Sequence, residues 1–457
     1  MVNCTRKKGG KYIAKGTYGC VFGPPLKCKE DAERMNNTYI SKLMENTNAE
    51  SEYEESKGMW SKIDPEQKFS LSSVKVCEFD KSNLKASNEF EKCNETSTRN
   101  KLLIYKNGGL DLSKLKPHPK NYKPLFKEFL NLMKGLEIAH KNNVVHCDIK
   151  TPNIVAAIKG NNIELRFIDY GLSKDVSEVK EYDELFTSNS TYYPYWPFEF
   201  GCFYDNGYIV PKSYIMDRFK HFNNSRDDSS GSYSLGKINM NPDDVYDLIK
   251  DIEFEYDTIS KNNDNIQRIY KGLDVYSMGV VLANLLFEYF SVSLVSGDDG
   301  SSYYPFYYYI KDESYVRYNK LEEKTELTEK HIQFHRTVLE HIINPMIVLI
   351  GNMTHINPDE RYTINQAIED YEKLISAFDT YLDSKNVATG LEGQHILNKK
   401  PDIPYIETPS SVLRKQREKN KNNSTKKNSP KKNSPKKFFN PLRVYELRKK
   451  SKKERNV

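Results

Sequence analysis

The chain reads as an α+β protein of two lobes: a small β-rich lobe carrying one helix, a larger helical lobe, and a disordered basic tail at the C-terminal end. Three observations predict this. Up to about residue 106 the sequence is a set of short strand-like runs split by turn residues, with one charged helix among them. From Lys123 onward apolar residues recur at helical spacing. Beyond about residue 385 the composition falls to Lys, Asn and Ser, too polar to bury a core. The expected divisions are 1–106, 107–384 with an insertion at about 200–270, and a linker and low-complexity tail over 385–457.

The elements follow in order. KYIAKGTYGCVF (11–22) alternates bulky and small residues around two glycines and reads as a strand–turn–strand hairpin. TYISKLM (38–44) is a short apolar strand, and NAESEYEESKGMWSKIDP (48–65) is a charged helix stopped by Pro65. FSLSSVKVCEF and KLLIYKNGG are further strands, after which NGG turns the chain into LDLSKL. Leu125, Phe126, Phe129, Leu132, Met133, Leu136 and Ile138 lie on one long helix. NIVAAIKGNNIELRFIDYG (153–171) reads as two strands around a Gly-Asn-Asn turn. The insertion is polar and weakly periodic, with NNSRDDSSGS (223–232) as a mobile loop. GLDVYSMGVVLANLLFEYF (272–290) is a buried apolar helix, and two more helices run through about 330–352 and 363–383.

Charge is unevenly spread. From Val412 to Val457 there are 18 Lys/Arg and 3 Asp/Glu, a net of +15, whereas residues 1–411 carry a net of −9. A basic tail on an acidic body points to an anionic partner, nucleic acid or another polyanion, through residues 412–457. Seven scattered cysteines, with no close-set pair, argue against a disulfide framework or a zinc knuckle and for a reducing, intracellular compartment. No apolar leader, myristoylation signal or membrane-length apolar run is present, so no membrane partner is expected.

Polar residues concentrate in HCDIKTPN (146–153), which follows an apolar VV and holds His146, Asp148, Lys150 and Asn153 within eight positions. A hairpin later comes IDYG, with Asp169. Upstream, AKGTYGCV (14–21) spaces Gly16 and Gly19 as a close backbone approach would need.

Together these resemble the protein-kinase signatures: the H-R-D-x-x-x-x-N loop, D-F-G, and the G-x-G-x-x-G-x-V lid, with Cys147 in place of Arg and Ala14 in place of the first glycine. The resemblance implies a two-lobed protein-kinase-like fold and transfer of phosphate from ATP, with Mg²⁺, to Ser or Thr of a protein substrate. It makes Asp148 the acceptor of the substrate hydroxyl proton and Lys150 a neutraliser of phosphate charge. Asn153 and Asp169 become oxygen ligands to Mg²⁺, and Gly171 allows the turn after Asp169. The nucleotide lid is Ala14, Lys15, Gly16, Thr17, Tyr18, Gly19, Cys20 and Val21. The strand lysine is Lys42, with Lys75 as alternative. Its helix partner is Glu55, placed on one face with Met59 and Ile63, with Glu52 as alternative. IYKNGG (104–109) fits the hinge, Leu103 lies near the gatekeeper position, and Asp111 reaches the ribose.

The resemblance runs on through WPFE with Glu199, through GLDVYSMG with Asp274, and through NPDERYT with Arg361 as the partner of Glu199. Lys150, two residues after Asp148, favours Ser/Thr over Tyr. The loop PPLKC, the strand YISKLM, KIDP and the insertion look like protein kinases of large nucleocytoplasmic DNA viruses, which would put the protein in host cytoplasm or virion, or in the nucleus through its tail. Cys147 cannot pair with a phosphorylated activation segment, so activity is expected not to depend on phosphorylation at Thr187, Ser188, Ser190 or Thr191. Ser429 and Ser434, each before Pro, are candidate modification sites in a tandem NSPKK repeat. The alternative function is a pseudokinase scaffold that delivers the basic tail to nucleic acid. Oligomeric state is not readable.

Overall fold

The computed structural model describes residues 10–16, 19–31, 35–80, 91–93, 99–115, 122–160, 162–179, 193–202, 209–226, 235, 238, 240–259, 263–290, 295–296, 302–303 and 339–381. Thr17, Tyr18, the activation-segment residues 187–191 and the whole tail, Ser429 and Ser434 included, lie outside them. The chain divides into two compact units, Met1–Leu115 with Asn131–Glu178, and Lys116–Leu130 with Val179–Val457.

The first unit is built on a five-stranded antiparallel sheet. Its strands are β1 (Lys11–Lys15), β2 (Gly19–Gly23), β3 (Tyr39–Glu45), β4 (Lys75–Glu78) and β5 (Arg99–Lys106), in the order β1-β2-β3-β5-β4. Alternate residues point to opposite faces. Cys20, Phe22, Leu43, Cys77, Leu102 and Ile104 bury one face together with Cys28, Phe79 and Cys93. Met44, Leu103 and Tyr105 bury the other against Ala49.

Two disulfides cross-link the first of these faces, Cys20–Cys93 and Cys28–Cys77. This corrects the reading of the cysteines as an unbridged set. Spacing arguments detect close-set pairs, whereas these partners are 73 and 49 residues apart and meet because strand alternation turns Cys20 and Cys77 to the face on which Cys93 and Cys28 are buried.

Helix α1 (Asn46–Glu55) follows β3 directly and runs through a π-helical turn, Ser56–Trp60, into Ser61–Ile63. Its buried side is Ala49, Glu52, Ser56 and Trp60. The buried Asp64 carboxylate then accepts the backbone N–H groups of Lys68, Phe69 and Ser70 at 2.8–2.9 Å, which ends the helix and folds the following loop. Beyond the sheet, β6 (Leu110–Asp111) pairs with β8 (Ile154–Lys159), which forms the expected hairpin with β9 (Asn162–Phe167). The short pair β7 (Val144–Val145) and β10 (Lys174–Asp175) clamps the two ends of the segment between them. Gly109, at φ 91°, passes so close to β8 that a Cβ there would collide with the Ala156 carbonyl.

Helix α2 (Tyr122–Lys141) contributes to both units. In the first, Gly135 lets the Phe69 ring lie directly against it. In the second, its Phe126 and Phe129 pack on Tyr371 and Phe378 of α7 (Ile364–Tyr381), and the Tyr371 hydroxyl donates to the Phe126 carbonyl at 3.0 Å. The insertion expected to be weakly structured contains two helices, α3 (Lys212–Arg226) and α4 (Pro242–Ile259), joined by Lys212–Asp243 at 2.6 Å. Residues 223–226, expected in a mobile loop, belong to α3. The long helix α5 (Asn263–Phe290) approaches α6 (Asn344–Met353) closely at Gly279, whose missing Cβ makes room for Thr354 and Met353. No helix among the described residues is long and apolar enough to cross a membrane.

Candidate active site

All the polar residues singled out in HCDIKTPN and IDYG fall in the first unit, with Lys42 and the helix that carries Glu52. The register Val21↔Lys42↔Leu103 puts these three on one sheet face, that of α1. There the Lys42 ammonium donates to both Glu52 oxygens, at 2.8 and 2.7 Å, and to Asp169 Oδ1 at 3.2 Å. Lys75 lies elsewhere, paired with Asp31 at 2.6 Å and Glu30 at 3.6 Å.

Glu52, not Glu55, is therefore the partner of Lys42, a correction with a local cause. The expected face was drawn through Met59 and Ile63, but the residue that turns inward is Trp60, and Glu52 and Ser56 share its buried side. The two sets have the same four-residue spacing, and it is the burial of Trp60 under the loop from His146 that turns the Glu52 face inward. Glu55 instead accepts from Ser51 Oγ at 3.2 Å.

The loop from His146 is held from beneath by aromatic packing. Trp60, fully buried, stacks on Tyr170 at 4.7 Å and meets His146 edge-on at 5.6 Å, while its indole N–H donates to Ser173 Oγ at 3.1 Å. Tyr170 donates to the Phe167 carbonyl at 2.6 Å and accepts the Leu71 N–H at 3.0 Å. His146 Nε2 faces the Ile168 carbonyl at 3.1 Å and Nδ1 the Asp148 N–H at 3.3 Å, so these partners select a neutral ring protonated at Nε2. Sequence reasoning missed Trp60; its one signal was a large aromatic eight positions after Glu52 on a charged helix.

Above this base, Lys150 Nζ donates to both oxygens of Asp148, at 3.0 and 2.8 Å. The Asn153 amide N–H₂ donates to the Asp148 carbonyl at 2.9 Å and carboxylate at 2.8 Å. That orients Asn153 Oδ1 away from Asp148, as an acceptor. Asp169 and Cys147 both adopt the left-handed conformation, at φ 68° and 61°, and the chain turns after Asp169 at Gly171, where the Ser173 N–H donates to the Tyr170 carbonyl at 2.8 Å. Residues 9–195 match the protein kinase domain.

A 51-residue stretch is also 41% identical to "Mitogen-activated protein kinase kinase kinase 17" of Arabidopsis thaliana. The alignment covers 11% of this chain and spans 13% of that relative's length. These similarities support the eukaryotic protein kinase superfamily, and a β-sheet N-terminal region with a helical later part fits its two-lobed fold.

Within the matched residues the electrostatics are those of a crowded buried site. Burial alone would depress the Lys42 pKa, but the Asp169 and Glu52 carboxylates outweigh it and hold the ammonium charged. Burial raises the Glu52 pKa, with Lys42 opposing. For Asp169, burial is overcome by Lys42 and Lys150, and its pKa falls. Burial raises that of Asp148, against the pull of Lys150 and with the push of Asp169. The donor set fits a hard cation: Asn153 Oδ1 and the ionised Asp169 carboxylate are oxygen ligands of the kind Mg²⁺ prefers.

The remaining expected residues are placed as follows. Ala14 pairs with Val21, and the Gly16 N–H donates to the Gly19 carbonyl at 2.8 Å, closing the lid hairpin. A Cβ on Gly19 would lie 2.7 Å from the Leu43 carbonyl oxygen. Lys15 is exposed opposite Cys20. Cys20, expected with the nucleotide lid, turns to the other sheet face and is bridged to Cys93, because its neighbour Val21 takes the inner one. Asp111 accepts from Lys114 at 2.7 Å.

The second unit holds Asp274, fully buried in α5. It also holds the Arg361–Glu199 pair, bonded through both guanidinium nitrogens at 2.7 and 3.1 Å with side chains 1% and 0% exposed.

Proposed function

We propose that this chain is a Ser/Thr protein kinase. The observation that carries the reading is the Lys42–Glu52–Asp169 ion-pair chain in the same compact unit as the Asp148–Lys150–Asn153 cluster. Phosphoryl transfer asks a protein mainly for positioning and charge neutralisation. In the proposed reaction the substrate hydroxyl oxygen bonds to the γ-phosphorus of ATP and the bond to ADP breaks. Asp148 takes the hydroxyl proton, and Lys150, already on that carboxylate, faces the charge that builds. Lys42, braced by Glu52, orients the phosphates. Asn153 and Asp169 would hold Mg²⁺, which supplies neutralisation of phosphate charge.

Lys150 at two positions after Asp148 supports a Ser/Thr acceptor. Cys147, fully buried at the place of an arginine, supports activity without activation-segment phosphorylation. A viral, intracellular setting and a polyanion partner for residues 412–457 complete the proposal. The four bridged cysteines are at most 4% exposed, which would shield both disulfides from reduction there once formed.

The deciding test is transfer of labelled phosphate from ATP to a basic protein, with Mg²⁺, by the wild type and Asp148→Asn. The expected loss in kcat is about 10²–10⁴-fold, the range for a lost general base. Nucleotide binding by the wild type without any transfer would instead favour the scaffold reading.

A further inference from the structure

Glu52 has a second donor that the kinase reading leaves without a role. Tyr105 stands on β5 directly opposite Ile40, two residues before Lys42, and so shares the sheet face of Lys42 and Leu103. Its ring packs in the cluster of Met44, Ala49 and Leu103 and is 7% exposed. Its hydroxyl donates to Glu52 Oε1 at 2.7 Å, the same oxygen that Lys42 reaches at 2.8 Å.

The arrangement has a physical purpose. One ammonium, Lys42, stands between two carboxylates, Glu52 and Asp169, and must also serve phosphates. A buried carboxylate with too few donors pulls on the nearest cation. A hydroxyl donor on Oε1 satisfies part of that demand and fixes the Glu52 rotamer from the side opposite the helix. Burial, then Glu52, push the Tyr105 phenol well above its ordinary pKa, so it stays a donor throughout the working pH range.

We propose that Tyr105 is a positioning residue for phosphoryl transfer, its hydroxyl holding Glu52 so that Lys42 can be shared with the nucleotide. The inference rests on the kinase reading, since it gives Tyr105 a part in that reaction. It acts through Glu52 and touches neither substrate nor reacting atoms.

The test uses the full chain as wild type, Tyr105→Phe, Glu52→Ala and the double variant. Two quantities are read: kcat and KM for ATP in phosphorylation of a basic protein, and amide hydrogen exchange over residues 46–63. Tyr105→Phe keeps the ring and its packing. It is expected to lower kcat about tenfold, the factor one hydrogen bond to a charged group carries, while KM moves less than about threefold. In the Glu52→Ala background, which has no side-chain acceptor for the hydroxyl, the same change is expected to have no further effect on kcat. Exchange over α1 is expected to quicken in Tyr105→Phe relative to wild type, and to be the same in Glu52→Ala and the double variant. Equal losses of kcat in both backgrounds would overturn the inference, as would unchanged kcat and exchange in Tyr105→Phe. If neither wild type nor Asp148→Asn transfers phosphate, the kinase reading fails by itself, and the exchange comparison still decides whether Tyr105 holds Glu52.

Discussion

Cys147 shows how much one residue can say. It is fully buried, at φ 61°, between His146 and Asp148, in a conformation that costs a non-glycine residue about 1 kcal/mol or more. The β7–β10 clamp and the His146 bonds hold it there without a charge of its own. An arginine in that place would need an anion; a thiol does not. Activity of phosphatase-treated protein is therefore expected to stay within about twofold of untreated protein, because Cys147 stands where a phosphate-pairing arginine would. Measured initial rates before and after dephosphorylation check this, and a collapse of rate restored by phosphate at 187–191 would overturn it.

At the level of elements, the interest lies in what joins the sheet to the helix and the sheet to itself. The Cys20–Cys93 bridge fastens the strand after the glycine turn to Glu91–Cys93, a 3₁₀ turn 73 residues on. Closing a loop of that length stabilises by about 4 kcal/mol in the chain-entropy picture. Cys93→Ser is expected to lower the thermal midpoint of the oxidised protein by several degrees, measured by calorimetry without reductant. An unchanged midpoint would mean that the bridge does not contribute.

Much of this level was legible in the residues. The β8–β9 hairpin announced itself through Gly-Asn-Asn between apolar runs, and Lys42 through its strand and the acidic helix behind it. Three things were not legible. The disulfides depend on pairings across the sheet. The Glu52 register depends on which of two equally spaced helix faces turns inward. The hydroxyl of Tyr105 became meaningful only when β3 and β5 fixed which residues share a face. Each depends on contacts between elements, which local pattern cannot supply.

For the molecule as a whole, the described candidate-site residues are gathered in one unit, while the second carries its own buried bracing at Glu199–Arg361. Removing one side of such a pair leaves a buried charge without its partner. The charge imbalance between body and tail is the other global property. If the tail binds a polyanion, truncation after residue 384 is expected to weaken binding of duplex DNA by about tenfold or more at 50 mM salt, with a smaller loss at 200 mM, because counterion release is electrostatic. Titrations at the two salt concentrations check this, and equal affinities with and without the tail would remove nucleic acid from the proposal.

The two bridges in the first unit also bear on how the protein must be prepared. Both are made within residues 20–93, and all four sulfurs end up inside the sheet's outer core. Oxidation therefore has to come before or during closure of that core. Material made in a reducing bacterial cytosol and material folded with an oxidant would be two different molecules with one sequence. A weak or absent activity in the first would say nothing about the second.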